Sequence, residues 1–239
     1  MKSINDLKIQ LFADGANKDD MLEMYKNKYI SGFTTNPTLL RKAGVKDYTE
    51  FALDILKSIS DRPISFEVFA DDFETMEEQA LKIRSWGENI YVKIPVMNTK
   101  KEYSYDLIKR LANQGVKLNV TAIMPIDQVE RVSEAMRNAD HGVISVFAGR
   151  IADTGVDPVP HMSQSLDIIK NKNKNLQLLW ASPRELLNIM QADEIGCDII
   201  TATPDILKKL TSLGKNLEEF SLDTVKMFFD DAQSVEYSI

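Results

Sequence analysis

Short apolar, β-rich runs recur along the chain with amphipathic stretches between them. They cover residues 8–13, 29–33, 64–69, 90–96, 117–123, 142–148, 176–181 and 198–202. Their starts recur about every 27 residues, the length of a strand–helix unit. Segments 47–56 and 127–132 carry apolar positions at helical spacing. Each opens on an Asp followed three residues later by a Glu (Asp47 and Glu50, Asp127 and Glu130), a variant of the capping box. Ser182-Pro183-Arg184-Glu185 predicts another helix start, with a Ser cap, Pro at the first helical position and Glu at the third. Eight such repeats predict an α/β fold, a (β/α)8 TIM barrel. No Pro/Gly/Ser-rich linker interrupts them, so residues 1–239 read as one domain. After Gly214, Leu222, Val225, Phe228, Phe229 and Ala232 fall at helical spacing, which predicts an extra C-terminal helix in a tail over 215–239.

The competing architecture is an open doubly wound sheet. Its strands, covered by helices on both faces, read as near-continuous apolar runs. Here the faces differ. In 90–96, Ile90, Val92, Ile94 and Val96 share one face, and Tyr91, Lys93 and Pro95 the other. In 64–69, Ile64, Phe66 and Val68 oppose Ser65, Glu67 and Phe69. Asn119 and Thr121 stand opposite Leu118 and Val120, and Ser145 opposite Ile144 and Val146. Alternate residues of a closed barrel face its interior, so the pattern predicts a barrel lined with polar groups.

Charge and residue counts narrow the chemistry. The chain has 29 Lys+Arg against 36 Asp+Glu, a net charge of −7. This argues against a partner recognised through a nucleic-acid backbone. No apolar run approaches the roughly 20 residues needed to cross a bilayer, so no membrane partner is expected. The start, Met1 to Asp6, has no signal-peptide core. One cysteine fits a reducing compartment, and the expected location is cytoplasmic. Cys197 reads as a small buried hydrophobe. Two histidines (His141, His161) and one cysteine cannot build a three-histidine or CxxC metal site, and neither GxGxxG nor GxxxxGK[ST] occurs. No metal and no cofactor is therefore expected, and the chemistry falls to Lys, Glu, Asp, Ser, Thr, Asn or Tyr.

Lysine and glutamate are rarely buried without a partner, and lining a barrel with Lys93, Glu67, Asn119, Thr121 and Ser145 costs desolvation energy. One Lys–Glu pair could simply fill the interior; a polar set spread over several strands points to function. Catalytic groups in such barrels sit at strand ends. Burial disfavours the charged amine, and a neutral amine attacks a carbonyl to form a Schiff base, an electron sink for making or breaking a C–C bond. That reaction needs a proton shuttle, for which Glu67 on the preceding strand is placed, and a base at the cleaved bond. Asp14, ending the first strand, suits the second role; on spacing alone it serves equally as a turn residue before Gly15.

Six segments carry a family resemblance. They are Thr34-Thr35-Asn36-Pro37-Thr38-Leu39-Leu40, Val92-Lys93-Ile94-Pro95-Val96, Leu118-Asn119-Val120-Thr121-Ala122, Ser145-Val146-Phe147-Ala148-Gly149-Arg150-Ile151-Ala152-Asp153, Trp180-Ala181-Ser182-Pro183-Arg184 and Gly196-Cys197-Asp198-Ile199-Ile200-Thr201. In this order and spacing the chain resembles the transaldolases, in their short, barrel-only form, which are related to the fructose-6-phosphate aldolases. The resemblance implies transfer of a dihydroxyacetone unit from sedoheptulose 7-phosphate or fructose 6-phosphate to an aldose phosphate (glyceraldehyde 3-phosphate or erythrose 4-phosphate), in the pentose phosphate pathway. It assigns the Schiff base to Lys93, proton transfer to Glu67 with a water near Thr121, and C4-hydroxyl deprotonation to Asp14. Asn36, Asn119 and Ser145 would hold the dihydroxyacetone part; Arg150, Ser182 and Arg184 the phosphate, with Ser182 and Arg184 expected at a helix start that favours an anion.

Two departures from the pattern are Gly15 after Asp14, where Thr or Ser is usual, and Met97-Asn98-Thr99-Lys100 after the lysine strand. The competing readings are an aldolase that releases free dihydroxyacetone and a catalytically silent binding barrel. Similar lyases carry Gln at the position of Glu67 and Tyr at that of Phe147, so both residues favour the transferase. Small members of the family assemble, and a homo-oligomer through the C-terminal helix is expected.

Overall fold

The computed structural model describes residues 3–235. Among them, eight strands pair in chain order and the last closes on the first. The strands are β1 (Gln10–Asp14), β2 (Ile30–Thr34), β3 (Ile64–Glu67), β4 (Ile90–Pro95), β5 (Leu118–Ile123), β6 (Gly142–Val146), β7 (Leu176–Trp180) and β8 (Ile199–Ala202). All neighbours run parallel, including β1 with β8. This is a (β/α)8 barrel, and the open sheet is excluded. Around the strands lie α1 (Lys18–Lys26), α2 (Pro37–Lys42), α3 (Tyr48–Ser58), α4 (Phe73–Arg84), α5 (Tyr105–Asn113), α6 (Ile126–Ala135), α7 (Ala148–Ala152), α8 (Pro158–Lys172), α9 (Leu187–Glu194) and α10 (Pro204–Lys208).

The period-2 alternation fixes what each strand face does. Ile90, Val92, Ile94 and Val96 are buried on the face that meets the helices, where α4 covers β4 with Met76, Ala80 and Ile83. Phe12, Val143, Leu179, Ala181 and Ile199 form a buried cluster with Tyr91 and Phe147 packed against it. These residues come from strands around the ring and fill the barrel interior, as side-chain layers do in this architecture. Gly32 makes room for Phe12, because a Cβ there would lie 2.5 Å from the ring.

Helix starts are mostly sealed by Asn or Asp. The side chains of Asn17, Asn36, Asp47, Asp72 and Asp157 each accept from a first-turn N–H, and Pro37 and Pro158 fill positions whose N–H has no intrahelical partner. Two expected caps are corrected. Asp127 lies inside the first turn of α6, whose flanking residue is Pro125; Gln128 Oε1 turns back to accept from Met124 N–H (3.1 Å). Ser182 caps nothing, because α9 begins at Leu187. There the acceptor arrives from downstream: Asn188 Oδ1 takes the N–H groups of Arg184 (2.7 Å) and Glu185 (3.2 Å).

Contacts divide the chain into two compact units, Lys8–Leu207 and a second drawn from both ends, residues 3–7 and 208–235 of those described. The second unit holds the predicted C-terminal helix, α11 (Leu217–Ser234), capped by Asn216 and tied by a Lys215–Asp223 ion pair. None of the residues of α11 is buried, and Leu222, Val225, Phe228 and Phe229 are each more than half exposed. Among the described residues, no helix is long and apolar enough to cross a membrane.

Candidate active site

One cavity of about 480 Å³ opens at the C-terminal ends of the strands. Its lining includes Asp14 (β1), Glu67 (β3), Lys93 (β4), Asn119 and Thr121 (β5) and Ser145 (β6), with Asn36, Phe147, Arg150, Ser182 and Arg184 from the loops and first turns that follow. The structure therefore brings all eleven candidate residues around one space.

Lys93 is buried among these residues. Its side chain is 8% exposed, and its Nζ donates to Thr35 O (2.8 Å) and pairs with Glu67 Oε2 (3.2 Å). Parallel pairing sets this contact, because Glu67 and Lys93 are register partners on β3 and β4. A carboxylate 3.2 Å from an ammonium can take its proton and leave the nucleophilic amine.

Asp14 is not a turn residue. Its Oδ1 accepts from Thr34 Oγ1 (2.8 Å) and its Oδ2 from Asn36 Nδ2 (3.3 Å). Burial pushes its carboxyl above the ordinary value of 3.8; Lys93 and the Thr34 and Asn36 bonds pull against the rise, and Glu67 adds to it. Asn36 Oδ1 caps α2 by accepting from Leu39 N–H (3.0 Å), which orients its amide nitrogen toward Asp14. Asn119 is held on both sides, donating to Ser65 Oγ (3.0 Å) and accepting from Ser145 Oγ (2.6 Å). Thr121 lies beside a register shift in the β5–β6 pairing, where Ala122 takes a left-handed φ of 62°. That kink turns Ala122 toward the cavity, which it also lines.

Arg150, which also lines the cavity, is exposed, with its guanidinium carbon 6.0 Å from the centre of the Phe147 ring. Arg184 forks onto Asp153 through Nε (2.9 Å to Oδ1) and a second contact to Oδ2. The bond from Arg184 holds the Asp153 carboxyl below its ordinary range. Arg184 and Ser182 belong to the loop before α9, so the anion preference of a helix start does not apply to them. Ser182 adopts φ 57°, and a Cβ on Gly149 would lie 1.6 Å from its carbonyl oxygen. Glycine at 149 lets this loop and α7 come together. Cys197 is buried away from the cavity, its thiol pushed up to about 12 chiefly by burial.

Thr34 and Thr201 had no role assigned from sequence. Both line the cavity, and their hydroxyls are 2.5 Å apart. Strand parity carries the signal, since Thr201 shares the face of the interior residue Ile199 and Thr34 that of Gly32. Met97-Asn98-Thr99-Lys100 forms an ordered turn: Asn98 Oδ1 accepts from Lys100 and Glu102 N–H, and Thr99 donates to Asp71.

Fold and site together define a barrel with a lysine–carboxylate pair at the mouth. The family model described as Transaldolase/Fructose-6-phosphate aldolase matches residues 11–239. The chain belongs to that family. A probable transaldolase of Dehalococcoides mccartyi is 31% identical over 202 residues, covering 84% of this chain and 90% of its own length. A probable transaldolase of Erythrobacter litoralis is 31% identical over 218 residues, covering 90% and 96%. Among solved structures, an HpcH/HpaI aldolase/citrate lyase family protein from Burkholderia cenocepacia superposes with a TM-score of 0.56 at 14% identity, covering 90% of this chain and 95% of that one. That likeness is one of fold alone.

Proposed function

We propose that the protein is a transaldolase that moves a dihydroxyacetone unit between sugar phosphates through a Schiff base on Lys93. The observation that carries this reading is the Lys93 amine, held by Glu67 and the Thr35 carbonyl in a cavity that Asp14 also lines. Glu67 takes the ammonium proton, and the amine adds to C2 of fructose 6-phosphate or sedoheptulose 7-phosphate. Glu67 then returns a proton to the carbinolamine hydroxyl, with Thr121 holding the water, and water leaves. Asp14 removes the C4-hydroxyl proton, the C3–C4 bond breaks, and its electron pair enters the iminium to give an enamine. The aldose phosphate departs, another enters, and the steps reverse. Asn36, Asn119 and Ser145 hold the hydroxyls of the three-carbon unit, while Arg150, Ser182 and Arg184 face the phosphate.

Phe147 favours transfer over release. Freeing dihydroxyacetone requires protonation of the enamine carbon and hydrolysis of the imine, and a phenyl ring supplies no donor or ordered water for either. A coupled assay with and without aldose phosphate tests this. Turnover is expected to depend on the acceptor, and Phe147→Tyr to raise free dihydroxyacetone at the expense of transfer. Efficient release by the unmodified chain without acceptor would make it a fructose-6-phosphate aldolase instead; no catalysis at all would make it a binding barrel. The exposed apolar face of α11 supports a homo-oligomer, and the single cysteine of the chain fits a reducing, cytoplasmic site of action.

A further inference from the structure

The ladder between β2 and β3 changes partners where the lysine needs it to. Phe33 N–H donates to Pro63 O (2.8 Å) and Thr35 N–H to Ser65 O (3.2 Å). In a parallel ladder a residue bonds across to two residues that flank its partner. The next rung in this register is therefore Glu67 N–H donating to Thr35 O. Glu67 N–H instead donates to the phenol oxygen of Tyr48 (2.8 Å), which also lies 3.1 Å from Glu67 O as a donor to it. Thr35 O, released from that rung, accepts from Lys93 Nζ (2.8 Å).

Tyr48 reaches this point from the first turn of α3, outside the barrel. Its ring is wedged among Phe66, Phe69 and Trp86, with ring centres 6.0, 4.5 and 5.8 Å away. Packing thus fixes the phenol where the ladder opens. Burial pushes the phenol far above its ordinary range, so it stays a neutral donor and acceptor.

We propose that Tyr48 is a positioning residue: by drawing the Glu67 amide out of the β2–β3 ladder, it frees the Thr35 carbonyl to hold the Lys93 amine beside the Glu67 carboxylate. One hydroxyl then sets the places of both members of the catalytic pair, the backbone of Glu67 directly and Lys93 through its carbonyl acceptor.

Tyr48→Phe keeps the ring and removes the hydroxyl. A part-buried N–H left without an acceptor is costly, and the acceptor in register is Thr35 O. The rung closes, and the Glu67 amide competes with Lys93 for that carbonyl. Loss of a hydrogen bond to a charged group corresponds to roughly tenfold or more in rate. Borohydride trapping of Lys93 with fructose 6-phosphate is expected to slow about tenfold, and kcat to fall in step, with KM within about twofold and the melting temperature within a few degrees of the parent. A crystal structure of the variant is expected to show Glu67 N within hydrogen-bond distance of Thr35 O. Unchanged trapping, or a variant structure in which Lys93 still bonds Thr35 O, would overturn the proposal. The kinetic consequence rests on the transaldolase reading. If the parent protein traps no adduct, that reading fails, while the closing of the rung still decides the role of Tyr48.

Discussion

Asp14 and Lys93 share the cavity. The Asp14 carboxyl is raised mainly by burial, against the pull of Lys93, Thr34 and Asn36, with Glu67 adding to the rise. A carboxyl whose folded value lies above its unfolded one keeps a proton that the unfolded chain has lost. Its stabilising contribution is complete below the ordinary value of 3.8 and is lost as pH rises through the folded value. Above that window the fold carries an ionised carboxylate it would rather protonate, so the base proposed for cleavage works against stability. Asp14→Asn is expected to raise the melting temperature at pH ~7 and to flatten its fall above pH ~4, while abolishing turnover. A variant less stable than the parent at neutral pH would contradict the cause assigned to the shift. Lys93 is tested by chemistry. Borohydride with fructose 6-phosphate is expected to leave a covalent adduct on Lys93, seen by peptide mass mapping, and Lys93→Met, which keeps the aliphatic stem, to lose both adduct and turnover. An adduct on another lysine would remove Lys93 from the mechanism.

At the scale of elements, the joint between α7 and the β7–α9 loop is the part most exposed to a single methyl group. A Cβ at position 149 would fall 1.6 Å from the Ser182 carbonyl oxygen, a backbone atom that cannot rotate away. Gly149→Ala must displace the loop carrying Ser182 and Arg184, at a cost of about 1–3 kcal/mol. KM for phosphorylated donors is expected to rise at least tenfold, with Lys93 still trapped at high donor concentration; an unchanged KM would separate this loop from phosphate binding. The same joint marks where the sequence stops being legible. The alternation in 90–96 places Lys93 opposite Ile90, Val92, Ile94 and Val96, and the eight-fold recurrence of such runs yields the barrel with strand bounds shifted by only a few residues. Ser182-Pro183-Arg184-Glu185 has the composition of a helix start, yet Ser182 takes a left-handed φ and Asn188 supplies the acceptor from inside α9. A cap that arrives from downstream leaves no local pattern. Asp127 misleads in the same way, because Pro125 precedes α6 and Gln128 satisfies Met124. Tyr48 is hidden for another reason. It lies 19 residues before Glu67 in an amphipathic helix, and an opened rung in a parallel ladder has no sequence signature.

For the whole molecule, the charge of −7 is compatible with the proposed sugar-phosphate substrate, which needs local arginines and not a basic surface. The apolar face of α11 demands more. The helix runs for 18 residues, and most helical stability in proteins comes from burying an apolar face. Yet Leu217, Phe220, Leu222, Val225, Met227, Phe228 and Phe229 are all 48% exposed or more, and none of the residues of α11 is buried. Large apolar residues gathered on one helix, rather than scattered over a surface, mark an interaction site. The Lys215–Asp223 pair and the Asn216 cap order the start of the helix, and the proposed occupant of its apolar side is a second copy of the chain. Light scattering at micromolar concentration is therefore expected to give a mass several times that of one chain. Replacing Val225, Phe228 and Phe229 together by Glu puts three charges into that face and is expected to return the single-chain mass, because burying an unpaired charge costs more than the apolar contact returns. Borohydride trapping on Lys93 then reports whether the barrel of the dissociated variant is still intact. If the unmodified protein itself scatters as one chain, the face is not an interface between copies; if the triple variant keeps its assembled mass, the copies meet elsewhere.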